Sequence, residues 1–255
     1  MIIKQGRADL LEYRVYDTRK NMGIAAAKDA AFVIKKLLCE KSEISAIFAA
    51  APSQNELLES LLSDKTIDFK KINAFHMDEY IGLSPDHPKS FGKFLTDKLF
   101  GRAPFKSVNL INGLADDIVI ECGRYSALLS EVKPEIVFMG IGENGHIAFN
   151  DPHVADFHDP LFVKVVELDQ TSIHQQVNDG CFASVEEVPT KAITLTIPAL
   201  MAPEYIFCVV PAATKANAVF ALINGEVGNH TPSTALRLRG GAILYTDTDS
   251  AGKIL

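Results

Sequence analysis

Residues 135–152 read EIVFMGIGENGHIAFNDP, an apolar run that passes directly into three closely spaced glycines. The first six residues have the composition of a buried strand. Gly140, Gly142 and Gly145 fit G-x-G-x-x-G, which in dinucleotide-binding proteins precedes a helix that faces the pyrophosphate. Pro152 would end such a helix almost at once. The stretch therefore favours a tight turn that brings the backbone close to a ligand, and it disfavours a dinucleotide site.

Short apolar runs alternate with segments of helical spacing along the rest of the chain. Strands are predicted over residues 44–51, 72–77, 108–111, 135–140, 162–168, 193–197, 205–210 and 242–245. Helices are predicted over residues 18–39, 54–62, 90–100, 116–132 and 214–223. This alternation predicts an α/β fold with a mostly parallel sheet and helices on both faces. Since no long Pro/Gly/Ser-rich linker divides the chain, we expect a single domain over residues 1–255.

Composition narrows the class of partner. The formal net charge is −7 and no basic stripe is present, which argues against nucleic acid as the main partner. The four cysteines are scattered, and the histidines lack a convincing metal-ligand spacing, so neither a disulfide framework nor a metal site is expected. No apolar run is long enough to span a membrane, and the first residues do not resemble a signal peptide. We expect a cytoplasmic protein that binds neither nucleic acid nor membrane.

The glycine turn presents polar side chains at the carboxyl end of a strand, where parallel sheets bind ligands. They are Asn144, His146, Asn150 and Asp151. An imidazole titrates near neutral pH, and a carboxylate a few residues away could orient it and stabilise its cation. His146 is therefore a candidate for general acid–base catalysis, although a lone histidine is more often structural.

Asp78 and Glu79 directly follow another apolar strand. An arbitrary Asp-Glu pair is usually a solvated loop or a helix cap. Here the position after a buried strand, beside aromatic residues, makes a general base an equally good interpretation.

Two further strand-to-helix junctions offer groups suited to an anion. Ser53 and Glu56 fit S-x-x-E, which predicts a capping box, and the free N–H groups of a helix N-terminus suit phosphate. Lys215, in PAATKA (211–216), would place an ammonium at the same edge of the sheet. Taken alone, a single lysine is a weak signal.

These stretches together resemble the glucosamine-6-phosphate deaminase/isomerase family, whose wider superfamily includes the 6-phosphogluconolactonases. The resemblance is collinear through FHMDEYIGL (75–83), LINGLADDIVIEC (110–122), GIGENGHIAFNDP (140–152), VPTKAITLTIPALM (188–201) and the helix start at Lys215. The pairing of MDEY with GHIAFN is typical of the sugar-phosphate isomerase branch.

The resemblance implies a Rossmann-like fold without a nucleotide, no cofactor, and a phosphorylated amino sugar as substrate. It implies that Asp78 moves a proton between C2 and C1 of the opened sugar, and that His146 assists ring opening. It also implies that Lys215 and the groups around Ser53 hold the 6-phosphate. The remaining expected site residues are Asn144 and Asp151 beside the histidine, and Gln54, Asn55, Glu79, Gly142 and Gly145 in substrate binding.

The chain departs from the family pattern at several positions. Asn144 and Asp151 stand where the family usually has Asp and Glu, and an amide cannot stabilise an imidazolium as a carboxylate would. The phosphate loop reads AAAPSQN (49–55) instead of a Gly/Thr/Ser-rich turn, and the usual phosphate-binding arginine has no counterpart in TSIHQQVNDGCF (171–182). A sugar-lactone hydrolase and a non-catalytic sugar-phosphate-binding regulator therefore remain alternatives. The sequence leaves both a monomer and a homo-oligomer open.

Overall fold

The computed structural model describes residues 1–255. The strands are β1 (Ile2–Ala8), β2 (Leu11–Tyr16), β3 (Ile44–Phe48), β4 (Ile72–His76), β5 (Asp78–Tyr80), β6 (Ser107–Asn109), β7 (Ile136–Met139), β8 (Val163–Glu167), β9 (Lys191–Leu195), β10 (Tyr205–Val210) and β11 (Ala242–Asp247). The helices are α1 (Arg19–Glu40), α2 (Asn55–Ser63), α3 (Phe91–Leu95), α4 (Ile118–Val132), α5 (Gln170–Asn178), α6 (Ile197–Met201) and α7 (Ala216–Asn224). None of the helices combines the length and the apolar character needed to cross a membrane.

The main sheet has eight strands in the order β1-β2-β11-β10-β7-β3-β4-β6. All neighbours pair in parallel except β1 and β2, which form an antiparallel hairpin at one edge. The central strands β3, β4 and β7 are buried at every position, as expected for parallel strands covered on both faces. The predicted fold class, an α/β Rossmann-like and mostly parallel sheet, is confirmed.

Each face of the sheet has its own apolar core, because successive side chains of a strand point in opposite directions. Ile136 and Phe138 of β7 pack with α1, α2 and α3 on one face. Val137 and Met139 of the same strand pack with α4, α6 and α7 on the other. The sheet is thus the middle layer of three, and its carboxyl edge lies free between the two helical layers.

A second, three-stranded antiparallel sheet in the order β5-β9-β8 lies beside the main one. The interpretation of residues 162–168 and 193–197 as strands of the parallel sheet was therefore wrong. β8 has exposed as well as buried positions, unlike the fully buried central strands of the main sheet. The chain leaves the main sheet at His76 and enters the small sheet at Asp78, so that only Met77 separates the two.

The hairpin β1–β2, strand β5 and helices α5 and α6 were not predicted from the sequence. The hairpin β1–β2 was not predicted, because its edge strand exposes Ile2 and Ile3 and lacks a continuous buried run. Helix α5 was not predicted either, because its sequence is polar and has only Ile173 and Val177 as large apolar residues. Asp169 caps α5 by accepting a hydrogen bond from the Thr171 N–H at 2.7 Å.

Candidate active site

A cavity of about 120 Å³ opens at the carboxyl ends of the central parallel strands. Asp78 comes from the junction after β4, and His146 comes from the turn after β7. Ser53 lies in the turn after β3, and Lys215 lies in the turn after β10. The structure thus brings residues from four separate stretches of sequence into the wall of one cavity, at the edge where parallel sheets bind ligands.

Three side-chain oxygens contact the Nδ1 atom of the His146 ring. Its Nδ1 lies 2.8 Å from Asn144 Oδ1, 2.9 Å from Asp151 Oδ1 and 2.9 Å from Ser172 Oγ. These oxygens favour a proton on Nδ1 and leave Nε2, which has no hydrogen bond to the protein, available to a ligand. Gly142 lies against the ring, since a Cβ on it would come within 2.1–2.4 Å of three ring atoms. Gly142 is therefore required for the position of the imidazole and does not need to contact substrate.

Asp151 is fully buried behind this ring. Burial alone would raise its pKa, but interactions with His146, Asn144 and Ser172 outweigh burial and hold the pKa of Asp151 below its usual range. Its other oxygen accepts a hydrogen bond from the Asp169 N–H at 3.0 Å, which ties α5 to the same centre. Asp151 is thus an ionised carboxylate that can stabilise an imidazolium at His146.

The amide of Asn144 is matched to this carboxylate. Asn144 Nδ2 donates to Asp151 Oδ1 at 2.9 Å, while Asn144 Oδ1 accepts from the His146 N–H at 3.0 Å. A second carboxylate at position 144 could not donate to Asp151 and would bring two negative charges together. Asn144 therefore orients both neighbours and leaves Asp151 as the charged partner of the histidine.

Ser172 is a member of this centre that the sequence analysis missed. It is fully buried, and its Oγ donates to Asp151 Oδ1 at 2.5 Å. It reaches the site because α5 runs along the cavity with Ser172 in its first turn. The only available signal was that Asp169 can act as the N-cap of a helix in this polar segment.

The Asp78 carboxylate is buried in the cavity wall and accepts no hydrogen bond from the protein. Burial raises its pKa well above the ordinary value, and the negative charge of Glu79 adds to the effect. A carboxylate without protein donors is a stronger base than one in water. It is also free to interact with a cationic or C–H group of a ligand.

Glu79 is placed differently from the expectation that it binds substrate. Its carboxylate accepts hydrogen bonds from the backbone N–H groups of Tyr80, Phe91 and Gly92 at 2.8–3.0 Å, and it does not line the cavity. Two of these donors are the first residues of α3, so Glu79 satisfies N–H groups that the helix leaves free. A helix cap was one of the two interpretations of the Asp78–Glu79 pair. Glu79 has this capping role.

The predicted capping box at Ser53 and Glu56 is wrong. The segment starts as a 3-10 turn at Pro52, with Ala51 as its N-cap and no side-chain cap hydrogen bond. Glu56 instead accepts a hydrogen bond from Arg19 Nε at 2.8 Å. Proline at the first position already lacks the N–H group that a cap would satisfy. Ser53 is thereby left in the cavity wall.

Three other expected binding residues are not part of the cavity wall: Gln54, Asn55 and Gly145. Gln54 is fully buried, and its Nε2 donates to Met139 O at 3.2 Å and Val209 O at 3.3 Å, which pins the turn after β3 to the ends of β7 and β10. Gly145 has φ +84°, a conformation that favours glycine, and so it shapes the turn that carries His146. Gln54 and Gly145 therefore stabilise the turns that carry site residues and do not line the cavity themselves.

Lys215 is buried, and its Nζ has no hydrogen-bond partner in the protein. Burial lowers the pKa of Lys215, against the opposing effect of the Asp179 and Glu143 carboxylates. An unpaired ammonium is costly to bury, so its position in a cavity wall indicates an anionic ligand. Nothing in the sequence alone distinguishes this lysine from an inert surface lysine.

Further polar residues of the cavity wall are Arg19, Gln175, Gln176 and Asp179. Gln175 Oε1 accepts from the Glu143 N–H at 2.8 Å, and its Nε2 donates to Asp179 Oδ2 at 3.2 Å. This bridge joins α5 to the glycine turn across the cavity. Arg19, the first residue of α1, reaches the cavity from the opposite helical layer.

The chain is similar to known proteins over most of its length. The family described as glucosamine-6-phosphate isomerases/6-phosphogluconolactonase matches residues 17–245. A glucosamine-6-phosphate deaminase from Listeria innocua is 33% identical over 228 residues, covering 89% of this chain and 95% of the relative. One from Clostridium novyi is 36% identical over 194 residues, covering 75% of this chain and 78% of the relative.

Solved structures show the same relationship. A structure described as a monomeric glucosamine-6-phosphate deaminase superposes with a TM-score of 0.86 at 29% identity, covering 95% of this chain and 98% of that one. A 6-phosphogluconolactonase from Thermotoga maritima superposes with a TM-score of 0.75 at 17% identity, covering 93% and 99%. The second likeness, at such low identity, shows the shared fold alone.

Proposed function

The chain belongs to the family of glucosamine-6-phosphate isomerases and 6-phosphogluconolactonases, and we propose that it is an amino-sugar-phosphate deaminase. It converts glucosamine 6-phosphate, or its galactosamine epimer, to a ketose 6-phosphate and ammonia. The observation that supports this choice is a buried Asp78 carboxylate without protein donors, facing the same cavity as an imidazole whose Nε2 is free. A lactone hydrolase needs a group to activate water but has no C–H proton to remove.

Ring opening is the first step that this site suits. His146 Nε2 takes the proton of the C1 hydroxyl and returns a proton to the ring oxygen, giving the open aldehyde. Asp151 stabilises the imidazolium that forms in between, and Asn144 and Ser172 hold the carboxylate and the ring in register. Gly142 allows the ring to lie flat against the turn.

Isomerisation and loss of ammonia follow. Asp78 removes the proton from C2 of the open sugar and delivers it to C1, while a proton from the amino nitrogen passes to the C1 oxygen. C1 becomes a CH2OH group, and a C=N bond is left at C2. Water adds to C2, the C–N bond breaks, and the amine departs as ammonia. The raised pKa of Asp78 suits a base that must first remove and then return a proton. The ammonium of the bound amino sugar would favour the ionised form of this carboxylate.

An assay that couples ammonia and ketose 6-phosphate formation tests the proposal. Both hexosamine 6-phosphates are supplied, and wild type is compared with Asp78→Asn, which keeps the size of the side chain and removes the base. Loss of the base is expected to reduce turnover by about 10²- to 10⁴-fold. Hydrolysis of 6-phosphogluconolactone by a wild type that releases no ammonia would contradict the proposal, as would binding of hexosamine phosphates without any turnover.

A further inference from the structure

The cavity has two separate ends. Asp78 follows β4 and Lys215 follows β10, and the two strands β7 and β3 lie between them in the sheet, so the two groups start from strand ends roughly 14 Å apart. We call the wall formed by Arg19, Ser53 and Lys215 the cationic end. Arg19 and Lys215 are the only arginine and lysine in the cavity wall.

Sheet order fixes how the cationic end is built. The turn after β3 carries Ser53 and the turn after β10 carries Lys215, and β3 and β10 are the two neighbours of β7. Parallel strands lie about 4.8 Å apart, so the two turns flank the tip of β7 at a separation of roughly 10 Å. A tetrahedral oxyanion with a hydrogen bond on each side can span such a gap. Lys215 supplies a donor on one side only.

Lys215 alone is poorly equipped to hold a dianion. The carboxylates of Asp179 and Glu143 oppose the lowering of its pKa, which means that they already interact with its charge. The wall that α5 contributes adds Gln175, Gln176 and Asp179 and no cation. The positive charge on the other side of the gap therefore has to come from another element.

Arg19 occupies that other side in an unusual position. It is the first residue of α1, after the N-cap Thr18, where the helix dipole disfavours a cation. Its Nε donates to Glu56 and its Nη2 to the carbonyl oxygen of Pro52, next to Ser53, while Nη1 makes no hydrogen bond to the protein. The ion pair with Glu56 is about one-third exposed on both sides, a setting in which such pairs contribute little stability. Structure alone gives little reason for an arginine here.

We propose that Arg19 binds the phosphate of the substrate from the side opposite Lys215 and thereby selects phosphorylated over free amino sugars. Glu56 and the Pro52 carbonyl hold the guanidinium in place and leave Nη1 for a phosphate oxygen. Ser53 lines the same wall, and its Oγ lies 3.3 Å from the position of a Cβ on Gly140, at the end of β7. This proposal rests on the proposed function and adds a binding residue to it.

Calorimetric titration with inorganic phosphate tests Arg19 without requiring turnover. Arg19→Gln is expected to weaken phosphate binding by at least about tenfold, because a charge-assisted hydrogen bond is lost. Lys20→Gln is the matched control, since Lys20 is the next residue of α1, is exposed and lies outside the cavity wall. It removes the same charge and should change affinity less than about twofold. Equal effects of the two variants would overturn the proposal.

Two further measurements keep the test independent of folding and of catalysis. Arg19→Lys retains a charge opposite Glu56 and should bind phosphate with intermediate affinity, while thermal unfolding shows whether each variant is folded. In the ammonia assay, Arg19→Gln should raise the KM for the hexosamine 6-phosphate by a larger factor than it changes kcat. If wild type makes no ammonia but Arg19→Gln still loses phosphate, the deaminase proposal fails alone. If wild type makes ammonia and Arg19→Gln binds phosphate normally, the Arg19 proposal fails alone.

Discussion

Asp78→Asn should make the protein more stable while it removes activity. The wild-type carboxylate is 7% exposed and has no hydrogen-bond donor in the protein, so a negative charge on it is poorly compensated in the native state. An amide of the same shape carries no charge. Burial raises the pKa of Asp78 above its unfolded value, so the native state favours the protonated form.

The sign and size of the effect follow from this shift. A raised native pKa contributes stability at pH values below the unfolded pKa, about 3.9 for aspartate, and that contribution is lost as the pH rises through the native pKa. The stability advantage of Asp78→Asn should therefore be smallest near pH 4. It should grow by up to about 1.4 kcal/mol for each pH unit until Asp78 is ionised in the native protein. An uncompensated buried group typically costs about 1–3 kcal/mol.

Thermal unfolding at a series of pH values measures this gain. For a chain of this size Tm changes by about 2–4 °C for each kcal/mol, so a rise of several degrees is expected at pH 7.5. Asp86→Asn is the control, because Asp86 is exposed in the loop before α3 and its side chain makes no hydrogen bond. If Asp78→Asn lowers Tm at pH 7.5, or shifts it equally at pH 4 and pH 7.5, then Asp78 is not a buried base without compensating hydrogen bonds, and the assignment is wrong.

Three further changes probe the histidine centre. Gly142→Ala should displace the His146 ring, because the new methyl group would lie within 2.4 Å of it, and reduce ammonia release by at least about 100-fold; Gly123→Ala, where a Cβ has open space, should leave activity intact. Asp151→Asn should lower the free energy of unfolding by about 1–3 kcal/mol at pH 7, as measured by denaturant titration. Because the native pKa of Asp151 is lowered, this difference should shrink as the pH falls below about 4, and a constant difference would contradict the assignment. Ser172→Ala should lower kcat about tenfold with an unchanged KM, and steady-state kinetics showing a rise in KM alone would argue against a positioning role.

The parts of the fold that sequence could predict are those with a strong hydrophobic period. The predicted strand over 135–140 agrees with β7 to within a few residues, and the predicted helix over 18–39 agrees with α1 equally well. Each segment has an apolar pattern that fits only one kind of element. The assignment of 162–168 to the parallel sheet failed for a related reason. Periodicity identifies a strand but does not say which strand pairs with it.

The candidate site likewise contains some residues that the sequence could predict and some that it could not. Asp78 and His146 could be placed together because both directly follow predicted parallel strands, whose carboxyl ends share one edge. Ser172 and Arg19 could not, because they sit on helices and reach the site through tertiary packing alone. The adjacent acids Asp78 and Glu79 diverge because successive residues of a strand face opposite sides, which sends one to the cavity and the other to the start of α3.

The short passage from β4 to β5 through Met77 has a consequence for which sugars fit. Asp78 pairs with Thr194 in the small sheet, and the His146 loop is fastened to that sheet by hydrogen bonds from Phe149 N to Thr194 Oγ and from Asn150 Nδ2 to Leu195 O. Ser53 and Lys215, by contrast, stand on the main sheet. The span from phosphate to reacting carbon is therefore a spacing between two sheets. Altered aromatic packing around Phe149, whose ring contacts Tyr80 and Phe91, would lengthen or shorten that span without changing Asp78 or Lys215.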